Sequence, residues 1–348
     1  VDFMNKSHFQ GLFSSAFAVL PALLLISCTP QKKTVSFQAM DTFMTISAYG
    51  KNAEAAIVQA QSEISHLENL ISTTIPGSEI FLLNHADGES LTVSPATYDL
   101  INFAVLMADK TDGALNPALY PITSAWGFTT DNYRVPSDSE IQRLLPLTDW
   151  KKIQLNSDRN VTLPAGTMLD LGAVGKGYAG DKILETLKNA GIKSAIIDLG
   201  GNVQTLGRKP DGSDWKVGIK NPKDGSIAVG ITVTDKAVIT SGGYERFFTA
   251  NDGKNYIHIF DGSTGRPSQS DIASITIISS RGLYGDALST ALFVMGSEKA
   301  TSWWKDLKST EETFDFVIIT KDERLMYNSG LEGKIQILAD FSDVIIFK

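Results

Sequence analysis

A glycine-rich segment with one lysine, LDLGAVGKGYAGD at residues 169–181, has the composition of a phosphate-binding loop. Backbone amides in such loops can surround a phosphate, and a lysine adds positive charge. The Walker A motif requires G-x-x-x-x-G-K-[ST], but Gly177 follows Lys176, and Asp170 stands where the first glycine belongs. The glycine order G-x-x-G-x-G also differs from the G-x-G-x-x-G of dinucleotide-binding folds. The segment therefore fits neither nucleotide fingerprint.

A helical pattern follows this segment. Apolar residues recur at positions 179, 183, 184, 187 and 190, and Gly191 stands where a C-terminal cap belongs. The spacing predicts a helix over 178–190 that starts directly after Lys176. Because helix N-termini attract anions, the lysine and the helix start together indicate an anion site. The structural alternative is a glycine-rich turn ahead of an ordinary helix.

A second segment, YGDALSTALFVMG at residues 284–296, could hold a metal ion. Asp286 and Thr290 are four residues apart at the predicted start of a helix, so their oxygens share one face, with Ser289 one step round. A carboxylate and a hydroxyl are hard-oxygen ligands of the kind that Mg²⁺ prefers. Alternatively, the aspartate is placed there because the helix dipole stabilises a negative charge near the N-terminus, and the threonine hydroxyl donates to a backbone carbonyl of its own helix.

A third segment, residues 240–267, predicts two strands around an Asn-Asp-Gly turn. It carries His258, one of four histidines in the chain, within an alternating pattern. The histidine is interpreted either as a polar residue satisfied inside the fold or as a site residue. The sequence DGSTGRP that follows is a cluster of turn residues.

The composition is that of a globular protein of one large or two ordinary domains. The 348 residues are 43% hydrophobic and 20% charged. The formal net charge is −8 and no block of Lys or Arg occurs, which argues against a nucleic-acid-binding surface. Small molecules or other proteins are the expected partners.

The N-terminal segment predicts a lipoprotein leader. An apolar run over 11–27 follows Lys6, contains Pro21 and ends at Cys28, the only cysteine. It is short for a membrane span and fits a signal peptide. LLISC resembles the lipobox of bacterial lipoproteins, whose cysteine carries the lipid. Residues 1–28 are thus interpreted as the leader, 29–35 as a tether and 36–348 as the functional domain. The alternative is an uncleaved anchor with a buried thiol.

The remaining chain alternates strands and helices. A strand pair is predicted over 34–48, helices over 53–71 and 97–109, and a capping box at SDSE, residues 137–140. A hairpin is predicted over 151–163, and a strand at SAIIDLGG after the glycine-rich segment. Short strands are predicted at 215–219, 227–233, 237–240, 244–249 and 256–260. Later come a strand at IASITIISS, two helices over 286–306, and strands at FDFVIIT, RLMYN and VIIFK. Strands outnumber helices and often follow one another directly, which predicts an α+β fold with a mixed, largely antiparallel sheet in a bilobal single unit.

Eight motifs in this order resemble the ApbE family of FAD:protein FMN transferases across residues 36–340. They are AMDTFMTI, STTIPGSEIFLLN, GALNPALYPITSAWGF, LDLGAVGKGYAGD, IIDLGGNV, TSGGYERFF, HIFDGSTGRP and GDALSTALFVMG. The leader is also similar to that family's. The resemblance implies transfer of FMN from FAD, through a phosphoester, to a threonine hydroxyl of a target protein, with release of AMP and a requirement for Mg²⁺.

The resemblance also implies roles for individual residues. Asp286 and Thr290 correspond to side-chain metal ligands, with Ser289 as a further candidate, and the Ala173 carbonyl completes the protein's share. Lys176 is expected to meet the diphosphate. Catalysis is assigned to Asp286 and, as candidate general base, His258. The alternative for the base is a metal-bound hydroxyl. The residues implied to line the FAD site are Met40, Ala114, Leu115, Asn116, Asp170 and Ile259.

Some positions depart from the family's pattern. An aromatic residue is usual where Thr74 stands, so ring stacking on the flavin or adenine is in question there. Asp is frequent in place of Asn116, which removes a charge from the cleft. Gly175 and Gly243 replace residues that are commonly bulkier or polar. None of these changes affects the proposed metal ligands.

Two other functions remain open from the sequence: an Mg²⁺-dependent FAD pyrophosphatase using the same cleft, and a non-enzymatic flavin-binding lipoprotein. The hard-ligand pair favours the enzymes over the binder. The expected partners are FAD and a periplasmic acceptor protein. The lipid anchor faces the periplasm, and Thr29 after the cysteine favours the outer membrane over the inner.

Overall fold

A computed structural model describes residues 31–307 and 313–348 of the chain. Nine of its strands form one large sheet in the order β1-β2-β6-β7-β10-β15-β16-β17-β19. Neighbours are antiparallel except for β17 and β19, which are parallel. Numbered along the chain, these strands are β1 (Lys32–Ala39), β2 (Thr42–Tyr49), β6 (Ser194–Leu199), β7 (Asn202–Leu206), β10 (Ala237–Gly242), β15 (Ile272–Ser279), β16 (Asp315–Thr320), β17 (Arg324–Asn328) and β19 (Asp343–Phe347).

Four small sheets carry the other strands. Two have three strands, in the orders β3-β5-β4 and β18-β9-β8, and two are hairpins, β11-β12 and β13-β14. The strands are β3 (Ser90–Thr92), β4 (Gln154–Leu155), β5 (Asn160–Thr162), β8 (Trp215–Lys220), β9 (Ile227–Val233), β11 (Phe247–Thr249), β12 (Asn255–Ile257), β13 (Phe260–Asp261), β14 (Arg266–Pro267) and β18 (Ile335–Ile337).

The helices vary from one turn and a half to five turns. They are α1 (Ala53–Ile71), α2 (Glu79–Asn84), α3 (Pro95–Lys110), α4 (Tyr120–Ala125), α5 (Asp138–Leu144), α6 (Gly172–Asn189), α7 (Gly282–Met295) and α8 (Ser297–Lys305). Short 3-10 segments cover Leu145–Thr148, Trp150–Lys152 and Ser329–Leu331. The α+β class with a mixed, largely antiparallel sheet is thus confirmed.

Three helices lie on one face of the large sheet. Helices α1 and α6 share an apolar core with β2 and β6, while α7 packs on β10 and β15 beside α6. The sheet β18-β9-β8 covers the other face against β16 and β17. The amphipathic pattern that predicted α1 is confirmed with its bounds, because its periodic apolar residues are all buried.

The predicted starts of α6 and α7 are wrong. Helix α6 begins at Gly172, not at 178, and the Gly175 N–H already donates to the Leu171 carbonyl at 2.8 Å. Helix α7 begins at Gly282, four residues before Asp286. Glycine disfavours an isolated helix, but here it lets the two helices approach closely, so tertiary packing overrides propensity.

The strand ends define two ends of the molecule. In the register of the large sheet, Lys32 pairs with Tyr49, Tyr49 with Ser194, and Ala237 with Ser279, at what we term the basal end. Helix α6 also finishes there, since Asn52 Nδ2 donates to the Ala190 carbonyl at 3.3 Å. The other end, termed the upper end, holds the β1–β2 turn and the start of α6.

Candidate active site

The N-terminal turn of α6 forms the centre of the site. Asp170 lies just ahead of the helix: its Oδ1 accepts from the Gly172 N–H at 2.9 Å, and its own N–H donates to the Pro117 carbonyl at 2.8 Å. Burial raises the pKa of Asp170, while the Gly172 N–H and the charge of Arg246 oppose that rise. Ala173 and Lys176 are both half-buried within the first turns of the helix. The loop that appeared phosphate-binding in the sequence is therefore itself helical.

Helices α6 and α7 touch through glycine. A Cβ on Gly177 would lie 2.2 Å from the Gly282 carbonyl oxygen and 2.7 Å from Asp286 Cβ. The absence of a side chain lets the Gly177 N–H reach Asp286 Oδ2 at 2.7 Å. Glycine is therefore required at this position for the two helices to pack as they do.

Asp286 is a buried carboxylate, with 5% of its surface exposed. Burial raises its pKa to about 6, while the charge of Lys176 and the Gly177 N–H act in the opposite direction. The structure thus brings Lys176 and Asp286 into electrostatic contact although they are distant in sequence. Because Lys176 and the Gly177 N–H do not fully offset the cost of burying this negative charge, a further cation bound to Asp286 would be stabilising.

Ser289 is held differently from its neighbours. Its side chain is fully buried, donates to the Asp286 carbonyl at 3.0 Å and accepts from Ser241 Oγ at 2.8 Å. Because the hydroxyl is engaged with α7 and β10, this geometry argues against Ser289 as a metal ligand. Thr290, one turn after Asp286, is half-buried.

His258 lies in the bend between β12 and β13, so the single strand predicted over 256–260 is wrong. Its Nδ1 is 3.0 Å from the Arg246 carbonyl oxygen. Because that oxygen only accepts, Nδ1 carries the proton of the neutral ring and Nε2 keeps its lone pair. Burial, followed by the charges of Lys176 and Arg246, lowers the pKa of His258 to about 4. The histidine is therefore neutral at pH 7 and lies within the electrostatic reach of Lys176.

The segment Ala114–Asn116 directly precedes Pro117, the backbone partner of Asp170, and its Asn116 lies next to the turn after β13. Asn116 is buried, its Nδ2 donates to the Thr148 carbonyl at 2.9 Å, and its Oδ1 accepts from the Ala118 N–H at 2.8 Å. A Cβ on Gly262 would lie 3.1 Å from Asn116 Nδ2. Both ends of the amide are therefore used to shape the loop, which explains an asparagine here without reference to the charge of the cleft.

Leu115 and Ile259, two further residues expected to line the FAD site, are buried beside this loop, and Ala114 is half-buried. The Leu115 N–H donates to Thr111 Oγ1 at 3.1 Å, and the Ile259 carbonyl accepts from the Ser268 N–H at 2.8 Å. Their contribution to a ligand surface would come mainly from the backbone.

Met40 covers the first turn of α6 from the β1–β2 turn. Its backbone has a positive φ of 48°, and its N–H donates to Glu68 Oε1 at 2.7 Å. A Cβ on Gly175 would lie 3.6 Å from Met40 Cε. The methionine is therefore fixed next to the helix start that carries Lys176, as its expected role requires.

Three further residues support the site, and sequence reasoning gave none of them a role. Arg246 acts electrostatically on both Asp170 and His258. Asp181 accepts from the Gly282 and Leu283 N–H groups at 2.6 and 3.0 Å, so it caps α7 from α6. Gln204 Nε2 donates to the Gly177 carbonyl at 3.2 Å. Asp181 lies in LDLGAVGKGYAGD and Arg246 in TSGGYERFF, so these two family-like motifs could have indicated them. Gln204 lies outside all eight motifs, and no sequence pattern indicated its role.

Across residues 31–307 and 313–348, His, Cys, Asp and Glu side chains do not gather in groups of three or more that could hold a metal ion. The expected ligand set contains only one such residue, Asp286, with a carbonyl and a hydroxyl as the others. Cys28 and the expected leader lie outside the described residues. Within the described part of the chain, no helix is both long enough and apolar enough to cross a membrane.

The fold and the site together define an α+β protein with a lysine at a glycine-rich helix start, next to a buried carboxylate. A family model described as the ApbE family matches residues 40–314. The chain belongs to the ApbE family.

Relatives and solved structures agree with that membership. The chain is 32% identical to a FAD:protein FMN transferase of Treponema pallidum, covering 85% of this chain and 87% of the relative. A Klebsiella pneumoniae protein of the same description is 34% identical, covering 76% and 82%. The crystal structure of the ApbE protein from Thermotoga maritima is similar with a TM-score of 0.78 at 30% identity, covering 88% and 97%. The flavin transferase ApbE from Vibrio cholerae shares the fold, with a TM-score of 0.77 at 23% identity, covering 88% and 99%.

Proposed function

We propose that this chain transfers FMN from FAD to a threonine hydroxyl of a target protein. The relatives described as FAD:protein FMN transferases support this activity, since they match over most of both chains. The observation in the structure that carries it is the hydrogen bond from the Gly177 N–H to Oδ2 of the buried Asp286 at 2.7 Å, which brings Asp286 of α7 to the N-terminal part of α6 that carries Lys176. A diphosphate needs positive charge, and Lys176 together with the N-terminal end of the α6 dipole supplies it.

The reaction exchanges the phosphoanhydride bond of the FAD diphosphate for a phosphoester to the threonine. The threonine oxygen forms a bond to the phosphorus on the FMN side, the bond from that phosphorus to the bridging oxygen breaks, and AMP leaves with that oxygen. The threonine proton must go to a base. Such transfers depend mainly on positioning and on neutralising charge. Lys176 is suited to hold the diphosphate, and Met40 to limit access of water above it.

His258 is the candidate base for that proton. Its Nε2 keeps a lone pair at neutral pH because Nδ1 faces the Arg246 carbonyl. Burial, and after it the charges of Lys176 and Arg246, lowers the pKa of His258 to about 4, which makes the ring a weak base. A bound diphosphate would offset those two charges and raise the pKa of His258 towards the range useful for catalysis.

The residues around Asp286 fit a magnesium ion. The Gly177 N–H, which regular helical pairing would give to the Ala173 carbonyl, donates to Asp286. Competition for that N–H makes the Ala173 carbonyl a better acceptor for another partner. Ala173, Asp286 and Thr290 offer only oxygen donors, the set that Mg²⁺ prefers. When bound there, Mg²⁺ would neutralise charge on the diphosphate.

The activity is tested by incubating the full chain with FAD, Mg²⁺ and an acceptor protein carrying the target threonine. The expected result is an acceptor heavier by the mass of FMN, with one AMP released per label. The matched control is the same acceptor with that threonine changed to valine, which should stay unlabelled. AMP and free FMN without labelled acceptor would instead identify a pyrophosphatase, and intact bound FAD a flavin-binding protein.

We also propose that Cys28 carries a lipid that holds the domain of residues 36–348 on a membrane facing the periplasm. The support is the lipobox-like LLISC and the apolar run before it. Mass spectrometry of the N-terminal peptide should find Cys28 as the acylated first residue. Full-length protein with an unmodified Cys28 would contradict the proposal.

A further inference from the structure

A charged cavity of about 460 Å³ lies at the basal end of the sheet, between α6 and the ends of β7, β10 and β15. It shares no residue with the ligand set proposed for FAD and magnesium. It opens below the Gly177–Gly282 contact, on the side of α6 that runs away from the flavin cleft.

Basic residues outnumber acidic residues in the lining of this cavity. Its walls carry four basic residues, Lys182, Lys188, Lys236 and Arg281, and three acidic ones, Asp181, Glu185 and Asp235.

The three acidic side chains already have partners. Glu185 pairs with Lys182 at 3.0 Å, Asp235 accepts from the Gly207 N–H at 2.6 Å, and Asp181 caps α7. Over the ranges that the structure describes, Lys188, Lys236 and Arg281 take part in no ion pair. Lys188, Lys236 and Arg281 therefore line the cavity without an ion-pair partner in the described part of the chain, and four basic against three acidic residues leave the lining with a net charge of +1.

More basic residues lie at the same end of the molecule as this cavity. The neighbouring strand ends and turns at the basal end carry Lys32, Lys33, Lys51, Lys193, Arg208 and Lys209. Two of these are neutralised locally, Lys33 by Glu54 at 2.8 Å and Arg208 by Asp214 at 3.0 Å. A basic end on a chain of net charge −8 indicates an anionic partner at that end.

The proposed lipid anchor leaves from the same end. Lys32 starts β1 at the basal end, and Cys28 is four residues earlier, so the two can be separated by at most about 14 Å. The β1–β2 turn with Met40 lies at the opposite end of an eight-residue strand, roughly 27 Å away. An acylated Cys28 would therefore bring the basal end, and not the flavin cleft, close to the bilayer.

We propose that the basal cavity binds the phosphate of an anionic phospholipid headgroup through Lys188, Lys236 and Arg281. This contact seats the protein with its basal end on the membrane and turns the flavin cleft towards the aqueous space, where an acceptor protein can reach it. The inference uses the proposed lipid anchor and is independent of the flavin chemistry.

The test uses acylated full-length protein in phosphatidylglycerol vesicles. Since Cys28 is the only cysteine, an introduced thiol can be labelled alone once Cys28 is blocked by lipid. Fluorophores are placed at Lys51→Cys on the basal end or at Thr74→Cys after α1, both at exposed positions. Nitroxide-bearing lipids should quench the Lys51→Cys label several-fold more than the Thr74→Cys label.

The cavity is then tested by changing Lys188, Lys236 and Arg281 together to Glu, or to Gln as the milder set. The equilibrium constant for seating the basal end on the membrane should fall roughly fivefold for each cation removed, so the triple variants should lose the preference for basal quenching. The matched control reverses three exposed lysines distant from the cavity, Lys254, Lys299 and Lys321, and should leave the quenching unchanged. Unchanged thermal unfolding midpoints in both sets verify folding.

Three outcomes would overturn the inference. The labels could be quenched equally, the cavity variants could behave like the control set, or millimolar inorganic phosphate could abolish the basal preference. The last result would reassign the cavity to free phosphate. The mass of the N-terminal peptide shows separately whether Cys28 carries an acyl group. The FMN-transfer assay shows separately whether the protein has the proposed activity.

Discussion

The backbone N–H of Gly177 donates to Oδ2 of Asp286 at 2.7 Å, although 109 residues separate them. The carboxylate proposed to bind metal is therefore oriented by a main-chain group, which no side-chain substitution removes. The same contact places Lys176 beside that carboxylate. The close approach of α6 and α7 thus fixes the charge arrangement of the site.

Gly177→Ala should destabilise the protein and distort the site. The new Cβ would lie 2.2 Å from the Gly282 carbonyl oxygen, so the helices must separate. Overpacking of this kind costs about 1–3 kcal/mol. Gly175→Ala in the same helix is the control, because its Cβ meets only side chains, Ile71 Cδ1 at 3.2 Å and Met40 Cε at 3.6 Å. Urea unfolding of both variants measures the difference; equal losses would show that the glycine contact is not limiting.

Asp286→Asn should raise stability at pH 7 while abolishing turnover. The folded pKa of about 6 exceeds the ordinary 3.8, so the folded state binds more protons between these values. Without Mg²⁺, the free energy of unfolding of the wild type should therefore fall as the pH rises through this window, by about 3 kcal/mol. Asn keeps an acceptor for the Gly177 N–H but cannot titrate. Denaturation from pH 4 to 7 tests this, and a variant that retains FMN transfer would contradict the role of Asp286.

His258→Gln should produce the opposite slope. The pKa of His258 is lowered from 6.5 to about 4, so the unfolded state binds more protons between these values. The wild type should therefore gain stability relative to the variant as the pH rises from 4 to 6.5. Histidine NMR titration of the wild type, with the variant identifying the missing signal, gives the pKa directly. A value near 6.5 in the absence of ligand would refute the assigned environment.

Lys176→Met should weaken FAD binding roughly 10- to 100-fold, because a charged contact to the diphosphate is lost. It should also raise the pKa of both His258 and Asp286, since the lysine lowers both. Lys182→Met, which removes a lysine one turn and a half later on α6, is the control for helix and charge effects. Calorimetric FAD titration separates the two variants, and similar affinities would exclude Lys176 from the diphosphate site.

Asn116→Asp, the residue frequent in the family, should destabilise this chain by about 1–3 kcal/mol. The substitution replaces the amide that donates to the Thr148 carbonyl at 2.9 Å with a second oxygen. Asn251→Asp, in the exposed turn after β11, should change stability little. Urea unfolding measures both, and a neutral Asn116→Asp would mean that the loop accommodates a carboxylate.

Sequence reasoning succeeded where the local signal and the tertiary contacts agree. The bounds of α1 and β9 were predicted as they occur. Of the predicted capping box, the Ser137 cap is confirmed, because its Oγ accepts from the Glu140 N–H at 3.3 Å, whereas the Glu140 carboxylate accepts from Arg134. The hairpin around the Asn-Asp-Gly turn is also confirmed. Short elements such as α2 and β18 were missed, because a few residues carry too little periodicity and their pairing is set by distant chain segments.

The site residues likewise divide into those that local sequence motifs indicated and those that only the tertiary structure reveals. The motifs led to Lys176 and Asp286, and the structure brings both to one helix contact. The helix starts were placed too late, since α6 begins at Gly172 and α7 at Gly282 where starts at 178 and 286 were predicted. Ser289 was included on sequence spacing alone, and only the fold reveals that its hydroxyl is engaged with Ser241. The capping of α7 by Asp181 joins residues a hundred positions apart, which no local pattern encodes.

The last strand, β19, joins the sheet edge in parallel with β17, with Leu325 opposite Val344. During synthesis, every residue of the flavin cleft therefore emerges from the ribosome before the last strand of the sheet is available. Until Asp343–Phe347 emerges, the backbone of β17 is open to strands of other chains. Chains that stop shortly before this strand should accumulate as aggregates even though they retain all the cleft residues.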